Sequence, residues 1–451
     1  MHLCHLFKLI SVHGFVPNEF GQGYIVPILK DKTGDVNDLN NYRGITLIPI
    51  ISKLMEVVLI DICENNNYLA TDDLQFGFKK GLGCSNAIFV LRATIDYFKD
   101  RGSTIFAAAL DVSKAFDKVN HYKLFTSLTC AGFPPWIISV LVNWYGKLFV
   151  SVRWKGEISK SISARSGVRQ GSSLSPCIFN IFINKFITDL RAQGVGCCLN
   201  GTYLGCIMYA DDIILLSATV NGLQIMLTCC YNSSKDNLLT FNCKKSTCMM
   251  IGPRSRFIVS DMQLGPDTIA WCTSFKYLGI TFNTGPKLSV NIDVIKHKFF
   301  ASCNCILGNA YAVNEIVKLS LMEAYCLPVL QYATAALRLT RSQSADLNAC
   351  WNSCYRRIFG FHKYESVREF INGLGRLDFT HLRMYLTLKF FNVGFSCRNL
   401  VFHKVLQMVT ETTEFSKLCH LVNTNGVDKF VQLSVGRLKA SVCGLFRDSN
   451  C

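Results

Sequence analysis

Short apolar runs along this chain predict strands, and longer stretches of helical spacing predict helices. The runs Gly205-Cys206-Ile207-Met208 and Ile213-Ile214-Leu215-Leu216 flank Tyr209-Ala210-Asp211-Asp212. That pattern reads as a strand, a tight acidic turn and a second strand. A third apolar run, Thr104 to Leu110, ends in Asp111 and reads as a buried strand that delivers an acid at its tip. Helices are expected near Ile50 to Asn65, near Ser85 to Phe98 behind the loop Gly81-Leu82-Gly83, and over Ser173 to Leu190. Phe133 to Val152 reads as a packed helix flowing into a strand. From Asn291 to Gly360 the pattern is helical, with Val317 to Tyr325 leading into Pro328. Residues 361–451 alternate apolar and polar positions without an assignable motif.

The acids carry the chemistry. Adjacent carboxylates at a hairpin tip repel each other and resist burial, so they either face water or are neutralised by a divalent cation such as Mg²⁺. Alone, Asp211-Asp212 fits a solvated turn, since Asp favours turns. Asp111 changes that reading. Three carboxylates brought together from two strands form a donor set for two-metal phosphoryl or nucleotidyl transfer, in which the ions sit about 3.5–4 Å apart.

Between the acidic sites lies Ser166-Gly167-Val168-Arg169-Gln170-Gly171-Ser172-Ser173-Leu174-Ser175-Pro176. With Asp111-Val112-Ser113-Lys114-Ala115-Phe116-Asp117 and Tyr209-Ala210-Asp211-Asp212, its order resembles the palm of a reverse transcriptase of the non-LTR, long interspersed element type. Asn41-Tyr42-Arg43-Gly44-Ile45-Thr46-Leu47 and Gln75-Phe76-Gly77-Phe78 stand where that family has fingers blocks, and Phe275-Lys276-Tyr277-Leu278-Gly279-Ile280 where it has a primer-grip block. Gly44 departs from the proline common after Tyr-Arg.

The resemblance implies an α+β right-hand polymerase with fingers over 1–105, a palm with a small antiparallel sheet over 106–285, a helical thumb over 286–360, and a C-terminal region of unassigned role over 361–451. It implies RNA-directed DNA synthesis from a DNA primer on an RNA template, using deoxynucleotide triphosphates and two Mg²⁺ ions, with Mn²⁺ as a substitute. Asp111, Asp211 and Asp212 would be the catalytic metal ligands. Arg43 would contact the triphosphate, and Phe116 would sit beneath the incoming sugar and exclude a 2′-hydroxyl. Gln170 and Gly171 would lie against the nucleotide, Tyr209 by the primer terminus, and Lys245 near the departing pyrophosphate, with Lys244 its rival for that place. Met1 begins where the family pattern is already under way, which reads as a fragment lacking the endonuclease domain. The alternative from another class is a catalytically silent remnant that binds nucleic acid.

Composition agrees. The 47 basic and 31 acidic residues give a formal charge of +16, which favours a polyanionic partner. Lys30, Lys32, Arg43, Lys79, Lys80, Arg153, Lys155, Lys160, Arg165 and Arg169 are expected to form a basic track around the cleft. The 22 cysteines read as reduced, mostly buried thiols in an intracellular protein of nucleus and cytoplasm. Cys350 with Cys354, and Cys397 with Cys419 and His420, lack a tight four-ligand zinc spacing. No uninterrupted apolar stretch reaches the roughly 18 residues of a membrane span, and Met1 to Gly14 is a poor signal peptide.

Overall fold

A computed structural model describes residues 1–30, 34–424 and 426–448. Lys32 of the expected basic track lies outside the described residues. Strands β1 (Gln22–Leu29) and β2 (Tyr42–Leu47) form an antiparallel pair. Helix α1 (Ile50–Asn65) follows directly, and α2 (Cys84–Asp100) leads into β3 (Ile105–Leu110). Further along come β4 (Phe149–Trp154), α3 (Ser175–Ala192), β5 (Cys206–Tyr209), β6 (Asp212–Ser217), α4 (Val220–Asp236) and β7 (Thr247–Ile251).

The expected acidic hairpin forms with one neighbour more than its local pattern shows. The central sheet has the order β7, β3, β6, β5, antiparallel throughout. Its outer strand β7, Thr-Cys-Met-Met-Ile, is a short continuous apolar run that periodicity alone cannot assign. Residues 105–110 are almost wholly buried, and the alanines Ala107 to Ala109 leave room for α2 and α4 to pack on this sheet.

A second sheet forms around β1. β4 adds parallel to β1, Gln22 opposite Phe149, and Glu157–Ile158 and Ile162–Ser163 pair antiparallel with β4. Residues 149–163 therefore join the sheet of β1 and β2, apart from the central sheet. A parallel pairing across more than a hundred residues has no local signature.

Ser274–Tyr277 and Ile280–Asn283 pair through the two-residue turn Leu278-Gly279, both at positive φ (44° and 82°), the geometry that suits the right-handed twist of a hairpin. Beyond it four helices, Ile292–Asn309, Glu315–Tyr325, Leu327–Gln331 and Arg341–Phe359, enclose Phe299, Trp351 and Tyr355. Asn291, Asn314 and Thr340 cap their starts, and Gly360 ends the last in a left-handed conformation.

The stretch after 361 is helical. Phe379–Gly394, Leu400–Thr410 and Thr413–Leu421 dock on α2, where the Phe89 ring meets Phe390, Phe391 and Phe402 at 5.4–5.6 Å. Arg92 in α2 reaches Glu414 at 3.0 Å.

All cysteines among the described residues are free. Cys303 and Cys354 sulfurs lie 3.2 Å apart in the core, and no group of three or more His, Cys, Asp or Glu side chains among the described residues is poised to hold a metal by itself. Among them, no helix is long and apolar enough to cross a membrane.

Candidate active site

The central sheet gathers the three acids. Tyr209 pairs with Asp212, so Ala210-Asp211 is a two-residue turn, and Ala210 adopts φ 55°, the left-handed value that primed hairpin turns require. β3 and β6 run in the register Ile213 opposite Leu110. Continued by one step, that register would set Asp212 opposite Asp111, and facing residues of antiparallel strands lie about 4.5–5.5 Å apart at Cα.

Asp111 is fixed from behind. Its backbone N–H is received by the Ser246 hydroxyl at 3.1 Å, and its carbonyl accepts from Asn242 N–H at 2.8 Å. The segment carrying Lys244 and Lys245 is thereby anchored to the tip of β3. Of the two lysines, Lys245 is the one whose charge reaches Asp111, together with Lys30.

Burial raises the Asp111 carboxyl above its ordinary range, opposed by Lys245 and Lys30. Burial also raises Asp211, reinforced by the charge of Asp111 and opposed by Arg43. Asp212 is pushed up to about 6 by crowding from surrounding protein atoms, then by Asp211 and Asp111, although its side chain still reaches water. Arg43 and Lys276 oppose that rise. Three carboxylates thus repel one another within reach of the charges of Lys30, Arg43, Lys245 and Lys276. A hard divalent cation relieves such repulsion using one or two carboxylates plus substrate phosphates, so the donor set fits Mg²⁺ without being a closed protein cage.

Tyr209 is half-buried, and burial with a hydrogen bond to the Cys84 thiol pushes its hydroxyl up to about 12, which keeps it protonated. Phe116 is half-buried, with one face stacked on Phe179 at 4.2 Å and its edge against Phe78 at 6.1 Å. Its carbonyl accepts from Val168 N–H at 2.8 Å, which ties it to the loop of Gln170 and Gly171.

Gln170 and Gly171 also make contacts within the chain. The Gln170 side-chain amide donates to Asp117 at 2.8 Å, within the loop that carries Phe116. At Gly171, with φ 126°, a Cβ would stand 2.5 Å from the Thr46 carbonyl, so the close approach this glycine permits is that of the chain's own strand β2.

Two cations of the expected track are structural. Arg169 is buried, paired with Glu56 at 2.9 Å, and donates to the Phe20 carbonyl at 3.2 Å. Lys79 donates to the carbonyls of Thr71 and Asp72 at 3.0 and 2.6 Å. The Arg169 partners lie more than a hundred residues away and leave no trace in local sequence, whereas those of Lys79 lie seven and eight residues before it. Lys276, Glu56 and Gln75 were not singled out as site residues. For Lys276 a signal existed: in Phe275-Lys276-Tyr277 the aromatics are buried and the lysine exposed, the alternation of a half-buried strand.

Hollows of about 650 Å³, lined by Phe395, His403 and Gln432 among others, and about 630 Å³, lined by Phe15, Phe133 and Asn143 among others, lie away from the carboxylates.

Residues 28–282, more than half of the chain, match the family described as "Reverse transcriptase (RNA-dependent DNA polymerase)". The chain belongs to the reverse transcriptase family. Its α+β architecture is the right hand of these polymerases, and its relatives are polyproteins of non-LTR retrotransposons. One is the Retrovirus-related Pol polyprotein from type-2 retrotransposable element R2DM of Drosophila melanogaster, 25% identical over 270 residues, covering 58% of this chain and 25% of that one. Another, from type-1 retrotransposable element R2 of Popillia japonica, is 24% identical over 388 residues, covering 82% of this chain and 53% of that one. The chain thus spans between a quarter and about half of their lengths. Among solved structures, apo telomerase from Candida Tropicalis is 12% identical with a TM-score of 0.45, covering 93% of this chain and 73% of that one.

Proposed function

We propose that this reverse transcriptase extends a DNA primer 3′ end on an RNA template by nucleotidyl transfer from deoxynucleotide triphosphates. The observation that carries the reading is the strand pairing that brings Asp111 at the tip of β3 to Asp211 and Asp212 at the turn of β5 and β6, within reach of the charges of Lys30, Arg43, Lys245 and Lys276. Asp111 and Asp211 would hold two Mg²⁺ ions, or Mn²⁺ in their place, with Asp212 assisting. When bound, such ions stabilise charge on the attacking and leaving oxygens of an in-line displacement.

The chain's own residues do the positioning. Arg43, on β2 above the acids, suits triphosphate oxygens because a guanidinium fork matches their geometry. Lys245, beside Asp111, stands where a pyrophosphate would leave. Sheet β1–β2–β4 serves as the fingers, the central sheet as the palm and the four helices after 291 as the thumb. Primer extension on homopolymeric RNA with Mg²⁺ tests the reading. Incorporation is expected, and binding of primer–template without incorporation would leave the silent remnant.

Phe116 would act as a sugar gate. One ring face is spent on Phe179 and Phe78 packs against the ring at 6.1 Å, so the opposite face is what an incoming sugar would meet. Phe116→Val is expected to raise ribonucleotide use relative to deoxynucleotide use, since a steric clash supplies about 1–3 kcal/mol of selectivity. A residue that only packs would instead leave a cavity costing about 1–4 kcal/mol of stability with the sugar ratio unchanged. Thermal midpoint and incorporation ratio, measured together, separate the two.

Affinity for primer–template is expected to fall linearly in log–log with salt, with a slope of roughly −0.9 per duplex phosphate neutralised. Titrations at several salt concentrations check this, and a flat line would remove the phosphate-contact argument.

A further inference from the structure

Ala210, the first residue of the acidic turn, is buried and held at φ 55°, a conformation that a residue with a Cβ adopts at a cost. One side chain meets both of its backbone polar groups. Gln75 Oε1 accepts from Ala210 N–H at 2.9 Å, and Gln75 Nε2 donates to the Ala210 carbonyl at 3.4 Å. The same Oε1 accepts from Gly77 N–H at 2.8 Å. Gln75 is 1% exposed, so no water replaces these bonds if they are lost.

The segment carrying Gln75 is itself locked to β5. Phe76 N–H donates to the Met208 carbonyl at 2.8 Å, and Met208 N–H to the Leu74 carbonyl at 2.9 Å. From α3, Asn180 donates to the Gly77 carbonyl at 2.7 Å. A Cβ on Gly77 would lie 2.4 Å from Ala210 N, so the loop presses directly on the turn.

We infer that Gln75 is a positioning residue which holds Ala210 in its left-handed conformation and thereby fixes the direction of the Asp211 and Asp212 carboxylates. The inference rests on those carboxylates being the catalytic ones. The chemistry calls for an amide. Two N–H groups need an acceptor and one carbonyl needs a donor, which glutamine supplies together. Glutamate would leave the carbonyl without a donor and place a further negative charge behind the acids. Leucine would leave all three groups unpaired.

The test uses the full chain with Gln75→Leu, Gln75→Glu and the double variant Gln75→Leu/Ala210→Gly. Amide hydrogen exchange at Ala210 and Gly77 is expected to rise about tenfold or more in Gln75→Leu, because a lost buried hydrogen bond lowers the local opening free energy. In primer extension, kcat is expected to fall about tenfold or more with KM for the deoxynucleotide within about twofold, as misplaced catalytic groups cost rate before binding. Gln75→Glu is expected to lose kcat as well, with its two N–H groups still protected. Adding Ala210→Gly is expected to restore part of the rate, because glycine keeps the positive φ without a brace.

Retained kcat in Gln75→Leu would overturn the inference, and so would a loss that follows the thermal midpoint and gains nothing from the glycine. Exchange reports on the brace in a chain of any activity. Failure of the polymerase reading would show separately, in a wild-type chain that extends no primer while unprotected Ala210 and Gly77 amides in Gln75→Leu still reveal the brace.

Discussion

Asp211→Asn is expected to lower primer extension on the order of a hundredfold to a thousandfold, the scale seen when a single group stabilising transition-state charge is removed. The substitution keeps size and hydrogen-bonding shape and removes one negative charge from a cluster whose members repel each other. Affinity for primer–template is expected to be unchanged or slightly tighter, since the loss of a negative charge beside Arg43 favours a polyanion. The measurement is single-turnover extension beside equilibrium binding on the same preparation. Near wild-type extension would remove the metal-site assignment, because a carboxylate in a merely solvated turn contributes nothing to the chemical step. Asp111→Asn carries the same expectation from the other strand, and equal losses in both variants would mark the two acids as one functional unit.

What the sequence disclosed follows the range of the interactions involved. The hairpin at 206–217 was legible because its turn and alternation are local, and α1 because its start after Pro49 and its length are written within sixteen residues. Asp111, Asp211 and Asp212 were legible as a set only through the order of blocks, since nothing in either segment alone says that β3 and β6 are neighbours. β4 joining β1, β7 closing the central sheet and the docking of Glu414 on Arg92 depend on pairings that no local window contains. The site shows the same divide. Of Lys244 and Lys245 only the fold decides which faces Asp111. Gln75 was visible as part of a block, yet its task, two hydrogen bonds to a turn 135 residues away, was not.

Arg169 is the sharpest case, because its misreading as a free cation hid a buried ion pair that shapes the site. Glu56 on α1 is 1% exposed and accepts from Arg169 Nη2 at 2.9 Å, from the Ser172 hydroxyl at 2.8 Å and from Ser173 N–H at 2.7 Å. One carboxylate thus grips both sides of Gln170-Gly171 and ties that loop to the helix after β2. Glu56→Ala is expected to destabilise the fold by about 3–5 kcal/mol, because it strands a buried guanidinium together with two further donors. Glu56→Leu combined with Arg169→Leu is expected to cost less than Glu56→Ala, since replacing both charges removes the unpaired guanidinium and leaves only the two neutral donors of Ser172 and Ser173 without their partner. Denaturant midpoints of wild type, Glu56→Leu, Arg169→Leu and the double variant close that cycle, with Glu56→Ala measured beside them. If Glu56→Ala unfolded at the wild-type midpoint, the pair would have to be screened by water, contrary to its burial. The double variant also isolates the loop's contribution to catalysis: with stability largely kept, any loss of extension reports on the placement of Gln170 and Gly171, whose backbone meets β2 through Thr46 N–H donating to the Gln170 carbonyl at 2.6 Å.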